Sequence, residues 1–124
     1  MAINVIKLFR YSLIGFYVFA GANHFLNPQF YNGLIPEYLP CHNVINYASG
    51  ALEIVLAVAV GISETRRLAV YGIIGMLIAF IPSHVYFIQI GACIKASICV
   101  DKWIAWLRLL IIHPLLIFWA YKVK

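Results

Sequence analysis

The sequence predicts an all-α polytopic membrane protein, a bundle of four transmembrane helices forming one domain over residues 1–124. Three observations predict it. First, 65% of the 124 residues are hydrophobic and 10% are charged, against about 45–50% and about 25% in soluble domains. A soluble globule of this length leaves too much of its surface in water to hide such an excess. Second, four stretches stay apolar for roughly the 20 residues that a bilayer-crossing helix needs. Third, short breaks rich in Pro, Asn and Arg separate those stretches, with no long polar linker between them. The same composition excludes a soluble enzyme, a disordered chain and a nucleic-acid binder. The formal net charge of +5 therefore reads as membrane topology.

The first span runs from about residue 3 to 24. Asn27-Pro28 ends it, because a proline pushes the residue before it out of helical geometry. Ala20-Gly21-Ala22 imitates a signal-peptide cleavage site behind a short basic and apolar start. The chain continues into three more spans, so an uncleaved first helix is expected. Residues 27–42 hold Pro28, Pro36 and Pro40 with Phe30, Tyr31 and Tyr38. That segment is too polar to cross and reads as an ordered loop at the membrane interface, where aromatic side chains settle. The second span, 44–62, leads into a tight polar turn, Ser63-Glu64-Thr65-Arg66-Arg67. The third, 68–90, contains Pro82, and the fourth, 103–121, contains Pro114. Each of those prolines removes a backbone hydrogen bond beside a histidine, His84 or His113, which can open a cavity in a helix bundle. Ala57-x-x-x-Gly61 and Gly75-x-x-x-Ala79 are spacings that let helices approach closely.

Basic residues near the span ends set orientation. With four spans, one face carries Lys7, Arg10, Arg66, Arg67, Lys122 and Lys124, and the other carries Lys95 and Lys102. Both termini are therefore expected in the cytoplasm, and the loop 27–42 on the outer side of a bacterial inner membrane.

Charged groups inside hydrocarbon cost on the order of 2.5–3.5 kcal/mol each on insertion scales and tend to face the bundle interior. Here they are Arg10, Glu53 and Arg108, with His24, His84 and His113 as ionisable company. Arg10 lies near the cytoplasmic face, where its head can snorkel to water. At a 1.5 Å rise per residue, Glu53 lies roughly 14 Å, Arg108 roughly 8 Å and His84 roughly 9 Å below the outer ends of their helices. His24 and Asn23 close the outer end of the first helix. Asn46, Ser49, Gly50 and Glu53 follow i, i+3, i+4, i+7, one continuous face of the second helix. Tyr17, Gly21 and His24 share a face of the first. The expected result is a polar pocket in the outer half of the bundle, bounded by Asn23, His24, Asn46, Ser49, Glu53, His84 and Arg108. Glu53 and Arg108 are the expected ion pair, since arginine binds a carboxylate bidentately. That pair either serves a ligand or only fixes helix packing.

Two histidines at similar depth, His24 and His84, could ligate a b-type haem. No spacing supports this, and a Cys-x-x-Cys-His attachment motif is absent, so haem is not expected. No metal-ligand spacing is present either, and no cofactor is evident. Cys41, Cys93 and Cys99 all fall on the predicted outer side, an oxidising compartment in many hosts. Cys93 and Cys99 bracket five residues of one loop and can form a disulfide. The odd count leaves either a free thiol or a different pairing with Cys41.

Ala20-Gly21-Ala22-Asn23-His24-Phe25, Asn27-Pro28-Gln29-Phe30-Tyr31, Ile35-Pro36-Glu37-Tyr38-Leu39-Pro40, Tyr47-x-Ser49-Gly50-x-x-Glu53-Ile54 and Thr65-Arg66-Arg67-Leu68-Ala69 together resemble the DoxX-like family of small membrane proteins. The resemblance covers nearly the whole chain and is strongest over residues 20–69. Asn23, His24, Glu53 and Arg66 match recurrent positions of that family. The fourth helix departs from its pattern: Arg108-Leu109 is followed by Leu110 and Ile112 where relatives carry proline and glutamine, and His84 stands where relatives often have asparagine. The family takes its name from a membrane subunit of a thiosulfate:quinone oxidoreductase.

The resemblance implies a quinone-linked or redox-associated membrane subunit. No flavin, iron–sulfur or haem motif is present, so any electron carrier would belong to a partner protein, and no catalytic motif is complete. The alternatives are a non-catalytic assembly subunit of a larger membrane complex, whose polar cluster is a rivet, and a binder of lipid or isoprenoid. Membrane lipid and other membrane or redox subunits are the expected partners.

Overall fold

The structure is a computed structural model that describes residues 4–94 and 98–124. It is all-helical, with no strand among the described residues and four helical stretches long and apolar enough to cross a membrane: Val5–Leu26, His42–Gly61, Arg66–Gln89 and Lys102–Lys122. Ile3, where the first span was expected to start, and Lys95, counted for orientation, lie outside the described residues.

Helix α1 covers Val5–Leu26. Asn4 caps it, its side-chain oxygen accepting from the backbone N–H groups of Ile6 and Lys7 at 3.1 and 3.3 Å. The helix runs two residues past the expected His24 and stops at Asn27. Pro28 then opens a short helix α2, Pro28–Asn32, at the one place where its missing N–H costs nothing. The segment 27–42 is therefore part helix, not loop throughout. Helix α3 spans His42–Gly61, beginning two residues before the expected Val44.

The third stretch is two helices, α4 over Arg66–Ala79 and α5 over Ile81–Gln89, broken at Phe80. Pro82 is the cause: it offers no N–H to the Ile78 carbonyl, and its ring crowds the preceding turn. The fourth stretch is also interrupted. Helix α6, Lys102–Leu107, passes into a wider π-helical turn at Arg108–Ile112 before α7, His113–Lys122. Pro114 cannot donate to the Leu110 carbonyl. The His113 N–H bonds back to the Arg108 carbonyl instead, the i→i+5 pattern of a π-bulge.

Helices α1, α3, α4 and α7 close into a ring in chain order, with α1 packed most extensively on α3. Glycine makes that pairing tight. A Cβ on Gly50 would lie 2.6 Å from the His24 Cβ and 2.8 Å from the Gly21 carbonyl oxygen, and one on Gly21 would lie 2.6 Å from the Gly50 oxygen. At the glycines of the Ala57/Gly61 and Gly75/Ala79 patterns, the neighbours lie at or beyond ordinary contact distance. A Cβ on Gly61 would meet only Ile14, at 3.5 Å, and one on Gly75 would meet nothing within 4 Å.

Two apolar cores result. At the end that holds the termini, Leu13, Val60, Val70, Ile73 and Val123 are fully buried. Arg10 Nε donates to the Val123 carbonyl there at 3.3 Å, so its head is anchored to backbone. Thr65 Oγ1 and Arg66 Nε donate to the Ala59 and Val60 carbonyls at 2.7 and 2.9 Å, closing the end of α3. At the opposite, loop end, Leu34, Phe87, Ala92 and Ala105 form the second core. Cys93 and Cys99 are disulfide-bonded beside it, and Cys41 is an exposed free thiol. Outward faces are apolar throughout, with Phe19, Leu26 and Leu68 about three-quarters exposed.

Candidate ligand-binding pocket

Between the two cores the bundle opens. In its loop-end half, neither α1 nor α3 packs against α5, α6 or the π turn. The breaks at Pro82 and Pro114 turn that half of the third and fourth stretches into a wall of its own. The gap is a cavity of about 310 Å³, within the size range of small-molecule sites.

One wall is built on the Gly21–Gly50 crossing, which brings His24 of α1 onto Asn46 and Glu53 of α3. Asn46, fully buried, holds the histidine twice. Its Nδ2 donates to the His24 carbonyl at 2.9 Å, and its Oδ1 lies 2.7 Å from His24 Nδ1. A carbonyl oxygen only accepts, so Nδ1 carries the hydrogen. The imidazole is stacked on the Tyr31 ring, 3.7 Å between centroids and 18° between planes. The Tyr31 hydroxyl accepts from Asn23 Nδ2 at 2.8 Å, and Asn23 Oδ1 accepts from Asn27 at 2.5 Å. Thus α2, within the segment 27–42 expected as loop, supplies the ring that fixes His24.

His24 Nε2 then faces the Glu53 carboxylate, 3.3 Å from Oε2. The approach is off-line, and Oε2 is buried with no hydrogen-bond partner among the described residues. The Tyr17 hydroxyl, about two turns below His24 on α1, is buried and unpartnered in the same way. With Nδ1–H committed to Asn46, a neutral ring shows Glu53 a lone pair, and two lone pairs repel. A proton on either group converts that repulsion into attraction. The two side chains form a facing imidazole–carboxyl dyad.

The opposite wall carries Arg108 and His84. The expected ion pair between Glu53 and Arg108 is not formed: among the described residues the one acid–base contact within 4 Å is His24 with Glu53. Arg108 instead rests over the Phe87 ring at 6.0 Å. The divergence of the walls keeps acid and guanidinium apart although both line the cavity. His84 packs edge-on against His113, 4.6 Å between centroids. His113 Nε2 donates at 2.6 Å to the Leu77 carbonyl, in the turn before the Phe80 break, and so ties α7 to the kink. Ser83 Oγ donates to the Leu34 carbonyl at 2.7 Å, tying the loop to α5.

Of the residues singled out from sequence, His24, Asn46, Ser49, Glu53, His84 and Arg108 line the cavity. Asn23 does not; it acts through Tyr31. Tyr17, Tyr31, Phe80 and Leu116 also line it. The i, i+4 spacing of Asn23 and Asn27 ahead of two adjacent aromatics was the available signal for Tyr31. Among the described residues no cluster of His, Cys, Asp and Glu is arranged to hold a metal.

A family model described as "Domain of unknown function (DUF8561)" matches residues 13–124. No curated protein and no solved structure matches the chain.

Proposed function

The chain belongs to the DUF8561 family, and we propose that it is an integral membrane protein whose loop-end pocket binds the head of a quinone and exchanges a proton with it, as a subunit of a redox complex. The carrying observation is the separation of charge inside one cavity. Glu53 and Arg108 line the same space without touching. A neutral, flat head with a carbonyl at each end suits such a site, since each carbonyl meets a donor: Tyr17 or the protonated His24–Glu53 dyad at one pole, Arg108 at the other. A bound quinone supplies two-electron, two-proton redox chemistry; its electrons come from a partner protein. The chain's own part is to seat the head, exclude water and hold the proton at His24 Nε2 or Glu53. The resemblance to the DoxX-like family supports the same reading.

The orientation proposed with it puts both termini in the cytoplasm of a bacterial cell and the pocket toward the outer face. An impermeant maleimide should then label Cys41 in intact spheroplasts. For the pocket, the test is saturable binding of a tail-less dimethoxybenzoquinone to purified protein in phosphatidylcholine nanodiscs. Glu53→Gln and Arg108→Gln should each weaken it about tenfold with the far-UV spectrum unchanged. Absence of saturable binding, or binding by both variants as tight as that of the unsubstituted protein, overturns the reading. Copurification with a partner that depends on neither residue would then favour the assembly subunit.

A further inference from the structure

We infer that the pocket takes a ligand with a long apolar tail, laid in the gap between α1 and α7, so that it enters sideways from the lipid and not from water. This rests on the binding reading above and adds the ligand class and route. The cavity has two flanks, because neither α1 nor α3 packs against the α5–α6 wall. The flank between α3 and α5 is roofed: Leu34, Ile35 and Pro36 are buried in it, and Ser83 Oγ fastens the Leu34 carbonyl at 2.7 Å. Among the described residues, the flank between α1 and the fourth stretch has no such cover. There α1 meets α7 alone, chiefly toward the termini end, where Trp119 Nε1 donates to the Phe9 carbonyl at 3.1 Å.

The edge of that second flank is apolar and continuous with the pocket. Phe16 and Ala20 on α1 and Leu116 on α7 all line the cavity, yet Phe16 is 43% exposed on the outward face of the bundle. An apolar wall that begins beside the Tyr17 hydroxyl and runs out to the lipid-facing surface accepts a chain, not a second polar head. Head and tail then sit in one continuous site, with the polar end held by the dyad and Arg108.

The test uses the intact protein in phosphatidylcholine nanodiscs and a decyl-tailed benzoquinone bearing a diazirine at the tail end. Photolysis should place adducts on residues 16–20 and on Leu116, and excess untagged decylbenzoquinone should suppress them. Adducts on residues 34–39 instead, or adducts that do not compete, overturn the inference while leaving head binding intact. Ala20→Trp, which fills the flank, should weaken the tailed ligand about tenfold more than the tail-less dimethoxybenzoquinone. Equal weakening of both also overturns it. If the tail-less quinone shows no saturable binding in the unsubstituted protein, the underlying binding reading fails instead.

Discussion

Replacing Gly50 by alanine tests whether the pocket wall rests on the α1–α3 crossing. The added Cβ would sit 2.6 Å from the His24 Cβ and 2.8 Å from the Gly21 carbonyl oxygen. Neither obstacle is the tip of a movable side chain; both travel with the α1 backbone. Reaching the 3.4 Å of ordinary contact requires the helices to part by about 0.8 Å. The same movement stretches the two Asn46–His24 hydrogen bonds, now 2.7 and 2.9 Å, beyond useful length. Overpacking costs about 1–3 kcal/mol and each lost bond about 0.5–1.5 kcal/mol. Alanine returns about 0.5–1 kcal/mol of helix preference. The net expectation is a loss of about 1–5.5 kcal/mol, centred near 3. Gly75→Ala is the matched control: nothing lies within 4 Å of its Cβ, so only the helix gain remains. Unfolding by sodium dodecyl sulfate in mixed micelles, followed by far-UV circular dichroism, reads both. If Gly50→Ala is as stable as the unsubstituted protein, or if Gly75→Ala is equally damaged, the crossing does not support the wall as argued.

Three further outcomes follow from the same geometry. Asn46→Leu removes the acceptor that fixes the His24 tautomer, so the imidazole nitrogen spectrum should change from a single Nδ1–H form to a mixture; an unaltered spectrum sinks the assignment. A double-mutant cycle on Glu53→Gln and Arg108→Gln, read by unfolding without added ligand, should give a coupling below about 0.5 kcal/mol, the additivity expected of groups that do not touch; a coupling of several times that restores the rivet. Reducing the Cys93–Cys99 bond, which spans a sequence separation of six, should lower stability by about 2 kcal/mol. Maleimide mass tagging should rise from one reactive thiol, Cys41, to three; three before reduction would refute the pairing.

The four apolar stretches, and the polar residues that line the cavity, were legible because hydropathy and helical spacing depend only on local order. His24, Asn46 and Glu53 shared faces of two helices, and burial in a tight crossing had to bring those faces together. The glycines carry a signal too, but their spacing does not say which pair uses it. Small-x-x-x-small spacing says that a helix can be approached closely and not by which neighbour, so Gly75 matched the pattern without a partner while Gly21 and Gly50 made the contact. The ends of the elements shifted by a turn or less, since Cys41 and Pro28 decide them by backbone geometry and not by polarity.

The Glu53–Arg108 pairing illustrates what depth and chemical affinity leave open. Both side chains are long, both lie in the loop-end half, and attraction in a low-dielectric interior is strong; on those grounds they should meet. They do not, because Pro82 and Pro114 bend the third and fourth stretches after the termini-end core has closed. A proline announces a bend but not its direction, which is set by what the freed groups find. Here the Leu77 carbonyl before the break finds His113, and the Leu34 carbonyl finds Ser83. Those two bonds tie α7 to the end of α4 and α5 to the loop after α2. The cost of keeping the Glu53 carboxyl group and the Arg108 guanidinium apart is therefore borne by the fold itself. A ligand acceptor set against the Arg108 guanidinium would recover part of that energy, because the unmade ion pair leaves its donors free.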